Sequence, residues 1–253
     1  MTDESVVGVI PCRYGSTRLP GKPLKLIQGK PMIQWVYERA CQVNVMQEVY
    51  VATDDPRIVE VCRKFGARAI MTSPNHRSGT DRIAEAIRHI PADIIVNIQG
   101  DQPFFDPVMV EEAVRPLLED PSLKMTTLMH PITHPESLHD PSVVKVVTDL
   151  KGNALYFSRS LIPFPRESVV HQVYEHVGLY VYRREFLLAL TQLPQSVLEQ
   201  VESLEQLRVL EYGFPLRVVQ TKTLDHEFSG FSVDTQQDLE RAEQMLTERG
   251  IKS

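Results

Sequence analysis

The sequence predicts an α/β protein: a mainly parallel sheet flanked by helices, with a smaller antiparallel insertion lobe. Up to about residue 120, short Val- and Ile-rich runs alternate with segments of helical periodicity, the pattern of βαβ units. Beyond residue 121 the apolar runs are joined by Pro-, His- and Gly-containing loops instead of regular helices, which points to antiparallel strands. The 253 residues, 42% of them hydrophobic, suffice for one large core with an embedded lobe. The expected division is 1–120 for the main α/β part, 121–215 for the lobe, and 216–253 for a return to the main part ending in a helix.

VVGVI at 6–10 reads as the first strand. Segment 31–42 follows as a helix, with Pro31 at its start and Ile33, Val36, Tyr37 and Ala40 on one face. EVYVAT at 48–53 is a second strand. Asp55 then caps a helix with Pro56 in its first turn, Ile58, Val61, Cys62 and Phe65 on its apolar face, and Gly66 at its end. ARAIM at 67–71, TDRIAEAIRHI at 80–90 and DIIVNI at 93–98 read as strand, helix and strand, the last buried on both faces. In the lobe, MTTLM, VVKVV, ALYFS and HVGLYVY are strands, followed by helices at about 184–191 and 203–212. LRVVQT at 216–221 and FSVDT at 231–235 read as strands, and Thr235 to Arg249 as a final helix closed by Gly250.

The formal charge of −6 and pI of about 5.8 argue against general affinity for nucleic acid or a membrane surface, which needs many phosphate-neutralising cations. No apolar run approaches the ~20 residues that cross a bilayer, and MTDES lacks the basic start of a signal peptide, so a cytoplasmic location is expected. Cys12, Cys41 and Cys62 form neither a CxxC pair nor a disulfide framework, and reduced thiols are expected.

One stretch departs from the acidic balance. Residues 11–25, PCRYGSTRLPGKPLK, hold Arg13, Arg18, Lys22 and Lys25 with no acid, immediately after the first strand. Ligands of open α/β sheets bind at the carboxyl ends of strands, where free N–H groups meet phosphate. Gly15 and Gly21 allow close backbone approach, Ser16 and Thr17 add hydroxyls, and the cations suit a polyphosphate. The stretch is not a Walker A loop, because five residues separate its glycines and Pro23 follows Lys22.

QGDQP at 99–103 ends the fourth strand at the same carboxyl edge and presents Asp101, a magnesium candidate, since magnesium on phosphates needs only one or two protein carboxylates. Asp234, at the start of the last helix, is either a second such carboxylate or a helix cap. His130, His134 and His139 suggest a metal cluster, but Pro131 and Pro135 prevent the helix that would align the first two. Trp35 and the aromatics of ALYFS and LYVY fit core better than base stacking.

Taken in order, PCRYGSTRLPGKPL, GKPMI, ATDD, MTSPNHRSGTDRI, NIQGDQP, ALYFSRSLIP, HVGLYVYR, LEQLRVLE and VDT resemble the CMP-Kdo synthetases, or 3-deoxy-manno-octulosonate cytidylyltransferases, over nearly the whole chain. The resemblance implies a Rossmann-like fold of the nucleotide-diphospho-sugar transferase type. It also implies transfer of CMP from CTP to Kdo, an eight-carbon acid sugar of lipopolysaccharide, with release of pyrophosphate. It places nucleotide binding in 1–120 and sugar binding and dimerisation in 121–215, and implies Mg2+ as cofactor and a homodimer. By matched position, Arg13, Arg18 and Lys22 would bind the triphosphate, and Ser78, Gly79, Thr80, Asp81 and Arg82 would help hold the nucleotide. Gln99, Arg159, His176, Tyr180, Glu205 and Gln206 would line the sugar site, and Asp101 and Asp234 would hold magnesium. Lys22, Arg13, Asp101 and Asp234 are the expected catalytic set. Cys12, Gln102 and Glu175 stand where Ala, Glu and a basic residue are usual. The last two adjoin the sugar region and leave 8-amino-Kdo, or another acid sugar, as the alternative acceptor.

Overall fold

The computed structural model describes residues 4–167, 169–223 and 225–251. The chain divides into two compact units, one of residues 112–222 and the other of the residues on either side.

In the flanking unit, β1 (Val6–Cys12) leads past a short hairpin of β2 (Leu26–Ile27) and β3 (Lys30–Pro31) into α1 (Met32–Ala40). Then come β4 (Glu48–Thr53), α2 (Pro56–Lys64), β5 (Arg68–Met71), α3 (Gly79–Ala86) and β6 (Ile94–Asn97). The four long strands lie parallel in the order β6-β1-β4-β5, with Val7 opposite Ile95 on one side and Glu48 on the other. β6 is buried at every position, as a strand covered on both faces must be. The helix starts follow capping chemistry: the Asp55 carboxylate accepts from Arg57 N at 2.9 Å ahead of Pro56, and the Ser78 hydroxyl accepts from Asp81 N at 3.1 Å. Helix α4 (Pro107–Glu119) runs across the division between the units.

The 112–222 unit contains β7 (Met125–Pro131), β8 (Lys145–Thr148), β9 (Ala154–Ser158) and β10 (Tyr174–Arg183). β10 is antiparallel to β7 and β8, and β8 to β9, as the loop-rich sequence predicts. After α5 (Arg184–Leu190), the helix expected at 203–212 shortens to α7 (Leu207–Glu211), and a helix that was not expected, α6 (Val197–Glu202), precedes it. Ser203 between them takes the left-handed conformation, φ 54°, and a Ser196–Glu199 capping box starts α6. The strand β11 (Arg217–Gln220) pairs in parallel with β7, so residues 216–222, read from the sequence as the start of the return, belong with the lobe.

The chain re-enters the flanking unit through the short α8 (His226–Ser229) and ends in α9 (Gln236–Glu248). Residues 231–235 form no ladder strand; they are tied by a bond from Val233 N to Asp101 O at 2.9 Å. Phe104 anchors this return. It stacks on Phe228 with ring centroids 4.6 Å apart and meets Trp35 edge-on at 6.1 Å, amid buried Val233, Leu239, Met245 and Leu246. Trp35 is therefore core, its indole N–H satisfied by Ile27 O at 3.0 Å. Among the described residues no helix is long and apolar enough to cross a membrane.

Candidate active site

The stretch after β1 folds into a tight loop around Tyr14, whose carbonyl accepts from Ser16 N at 3.0 Å and Gly21 N at 3.1 Å. Gly21 has φ +67°, and a Cβ there would approach the Tyr14 ring to 3.2 Å, so both backbone conformation and space select glycine. The Tyr14 ring also lies under the Arg57 guanidinium, 3.4 Å from its centroid. This folding turns Lys22 inward at the start of a single 3-10 turn.

Lys22 is the junction of the site. Its Nζ donates to Asp101 Oδ2 at 2.9 Å and to Asp234 Oδ1 at 3.0 Å, and Arg18 also donates to Asp234 Oδ1 at 3.0 Å. Burial alone would lower the Lys22 pKa, but the charge and hydrogen bond of Asp101, joined by those of Asp234, carry it above its ordinary value. The ammonium is therefore charged at neutral pH. Two carboxylates 133 residues apart in sequence thus share one cation, Asp101 placed by the QGD turn and Asp234 by the start of α9. The QGD turn presses against the end of β1 so closely that a Cβ on Gly100 would lie 2.9 Å from Pro11 O. At α9, Thr235 and Asp238 form a capping box, and Asp238 also accepts from Asp234 N at 3.0 Å. The cap is therefore Thr235, which leaves the Asp234 carboxylate to the cations.

These groups line a cavity of about 370 Å³ that also receives Arg13, Ser78, Gly79, Arg82 and Gln99. Thr80 is buried and Asp81 lies in the first turn of α3; neither is among the lining residues. Arg82, 3% exposed, is held by Thr72 Oγ1 at 2.6 Å and Asp54 Oδ2 at 3.2 Å. The other Asp54 oxygen accepts from Tyr14 N at 3.2 Å, so one carboxylate braces both the cationic loop and the SGTDR helix. Asp54 is not among the residues that the resemblance assigns to the site, although it stands at the carboxyl end of β4, the same kind of edge as the cationic loop. His76 and Arg77, basic residues directly before SGTDR, also line the cavity without being among the expected site residues. His76 is paired with Glu85, which accepts from Ser73 N at 3.0 Å as well. Burial pushes the Cys12 thiol well above its ordinary range, so the residue standing where Ala is usual is no nucleophile here.

The other five expected sugar-site residues lie in the 112–222 unit. The His176 ring is 2.9 Å from Thr127 Oγ1 through Nε2 and 3.5 Å from Gln206 Nε2 through Nδ1. Tyr180 OH donates to Gln206 Oε1 at 3.2 Å, and the Glu205 charge helps raise the pKa of this phenol beyond what burial does. His176 keeps a partly open face, yet burial pushes its imidazole down to about 3, so it is neutral at physiological pH. Arg159 binds backbone, its Nε donating to Glu202 O at 2.8 Å and its NH1 to Pro141 O at 2.9 Å. The buried Arg208 clasps Glu199 through bonds of 2.7 and 2.5 Å, tying α7 to α6 and holding the turn that carries Glu205 and Gln206.

A magnesium ion suits this donor set. Asp101 and Asp234 offer hard oxygen ligands converging on a point that already attracts a cation, and two carboxylates are the complement magnesium takes beside phosphates and water.

The cytidylyltransferase family profile matches residues 7–224. A 3-deoxy-manno-octulosonate cytidylyltransferase of Geotalea daltonii is 51% identical, the match covering 97% of this chain and 99% of that protein. One of Syntrophotalea carbinolica is 50% identical over 98% of this chain and 100% of its own. A solved CMP:2-keto-3-deoxy-manno-octonic acid synthetase in complex with CTP superposes with a TM-score of 0.91 at 47% identity, covering 97% of this chain and 99% of that one. With likeness of this extent in both sequence and fold, the chain belongs to the cytidylyltransferase family, among the 3-deoxy-manno-octulosonate cytidylyltransferases.

Proposed function

We propose that this protein transfers CMP from CTP to Kdo, giving CMP-Kdo and pyrophosphate for lipopolysaccharide biosynthesis in the cytoplasm. The observation that carries the reading is the bridging of Asp101 and Asp234 by Lys22 inside a cavity rich in arginine. The triphosphate of CTP is taken by Arg13, Arg18 and Lys22, with the Ser78–Gly79 start of α3 and Arg82 beside it. The sugar is assigned to Arg159, His176, Tyr180, Glu205, Gln206 and Gln99 on the motifs that carry the resemblance.

The anomeric hydroxyl of Kdo attacks the α-phosphorus of CTP. A new P–O bond forms, the bond to the β-phosphate oxygen breaks, pyrophosphate leaves with the electron pair, and the hydroxyl proton passes to solvent. Catalysis rests on positioning and on electrostatic stabilisation of the phosphate oxygens. Lys22 and Arg13 offset charge near the scissile bond, and neutral His176 orients the sugar without acting as base. Asp101 and Asp234 would hold magnesium, which would supply Lewis-acid charge to the transfer and lower the pKa of the attacking hydroxyl.

A pyrophosphate-release assay with CTP, Mg2+ and a panel of acid sugars tests the reading. Turnover with Kdo is expected. Turnover with 8-amino-Kdo in its place would move the acceptor to that relative, and no turnover with any acid sugar would overturn the reading.

The protein works as a homodimer through the 112–222 lobe, a reading supported by exposed Leu155, Phe164, Val170 and Val201 there. Light scattering should give twice the 28.8 kDa chain mass. The mass of a single chain at micromolar concentration would contradict it.

A further inference from the structure

We propose that Thr127 is a positioning residue of the sugar site: its hydroxyl fixes the Nε2–H tautomer of His176 and thereby the direction of a hydrogen-bond chain ending at Tyr180, which offers an acceptor to a sugar hydroxyl. The inference rests on the reading that this cluster receives the acid sugar.

It begins with a register fault. β10 pairs Val177 with Leu128 and Tyr180 with Thr127, so Gly178 and Leu179 have no counterparts on β7 and the strand bulges. The bulge brings two carbonyls to the buried Thr127 hydroxyl, that of Leu179 at 2.9 Å and that of Val177 at 3.2 Å. A carbonyl only accepts, so the single hydroxyl proton is spent on this pair. What Thr127 turns toward His176 Nε2, 2.9 Å away, is a lone pair, and Nε2 must carry a hydrogen to meet it.

The rest of the chain follows from valence. With Nε2 protonated, the neutral imidazole accepts at Nδ1, where the Gln206 amide nitrogen lies at 3.5 Å. The amide oxygen then faces Tyr180 and takes its proton at 3.2 Å. Tyr180 has no hydrogen left to give, and its oxygen presents lone pairs. A group that donates, such as a hydroxyl of a polyhydroxy acid, is matched there, whereas an ether or carbonyl oxygen in the same place is not. Burial keeps His176 neutral across the working range, so the polarity does not reverse with pH.

The test uses the full chain and two variants. Thr127→Val keeps the shape and removes the hydroxyl; Thr127→Ser keeps the hydroxyl. Nitrogen-15 imidazole spectra at pH 7 should show His176 as the Nε2–H tautomer in the parent and Thr127→Ser, and a loss of that tautomer in Thr127→Val. In the same variant KM for Kdo should rise about tenfold, the equivalent of one lost hydrogen bond, with KM for CTP unchanged and with Thr127→Ser restoring the parent value. An Nδ1–H tautomer in the parent or in Thr127→Ser overturns the proposal even if Thr127→Val fails to fold. A changed tautomer with unchanged KM for Kdo also overturns it. If the parent does not turn over Kdo at all, the functional reading fails, and the spectra alone decide whether Thr127 orients His176.

Discussion

Lys22 shows how one side chain reads out the folding of a whole loop. Gly21 must be left-handed and Tyr14 must close the turn for the ammonium to reach both Asp101 and Asp234. Asp101→Asn should lower kcat at least a hundredfold, the order of loss seen when one charge-stabilising contact is removed, while the circular dichroism spectrum stays that of the parent. Near-parent turnover would take Asp101 out of the reacting site. His176 gives a prediction of opposite kind. Its folded pKa, about 3, lies below the ordinary histidine value of about 6.5, so below that value the unfolded chain binds a proton that the folded chain refuses. Stability contributed by this group is complete above pH 6.5 and is lost as the pH falls toward 3. In His176→Gln that share of the acid-induced loss should disappear from urea titrations between pH 4 and 7. An unchanged pH dependence would mean that His176 titrates normally.

Among the elements, the pair α6 and α7 illustrates where periodicity misleads. SVLEQVESLEQLRVLE carries apolar residues at helical spacing on both sides of Ser203, which places a helix start near 203 where the chain in fact breaks, while the S-x-x-E of Ser196–Glu199 marks the start of α6, which the expected helix leaves out. The break has a purpose in the fold, because the buried Arg208–Glu199 pair holds the two helices around the turn bearing Glu205 and Gln206. Arg208→Ala leaves a buried carboxylate without its cation, a loss of about 3–5 kcal/mol, and should raise KM for Kdo more than KM for CTP. Equal effects on both constants would show that this pair serves stability alone. The strand β11 was legible as a strand but not as part of the lobe, since pairing with β7 is a long-range choice that no local pattern records.

At the scale of the molecule, the parallel order of the flanking unit and the antiparallel strands of the lobe were both readable, because burial on two faces and loop-rich connections leave different marks in sequence. The cationic loop and the QGD turn were readable for a related reason: each follows a strand at its carboxyl end. What stayed hidden was the bracing. Asp54 binding Arg82 and the Tyr14 amide, and Thr127 facing His176, are contacts between segments distant in sequence and made by residue types common everywhere. Asp234 lies between the two kinds: the sequence leaves it as a cap or a ligand, and Thr235 takes the cap. The central claim is that Asp101 and Asp234 act together on one divalent ion with its nucleotide. Manganese binding to the protein–CTP complex, followed by electron paramagnetic resonance in the parent, Asp101→Asn, Asp234→Asn and the double variant, tests it most directly. The account predicts that each single change weakens the bound manganese and that the two losses are not additive; manganese affinity unchanged by either single change would contradict it.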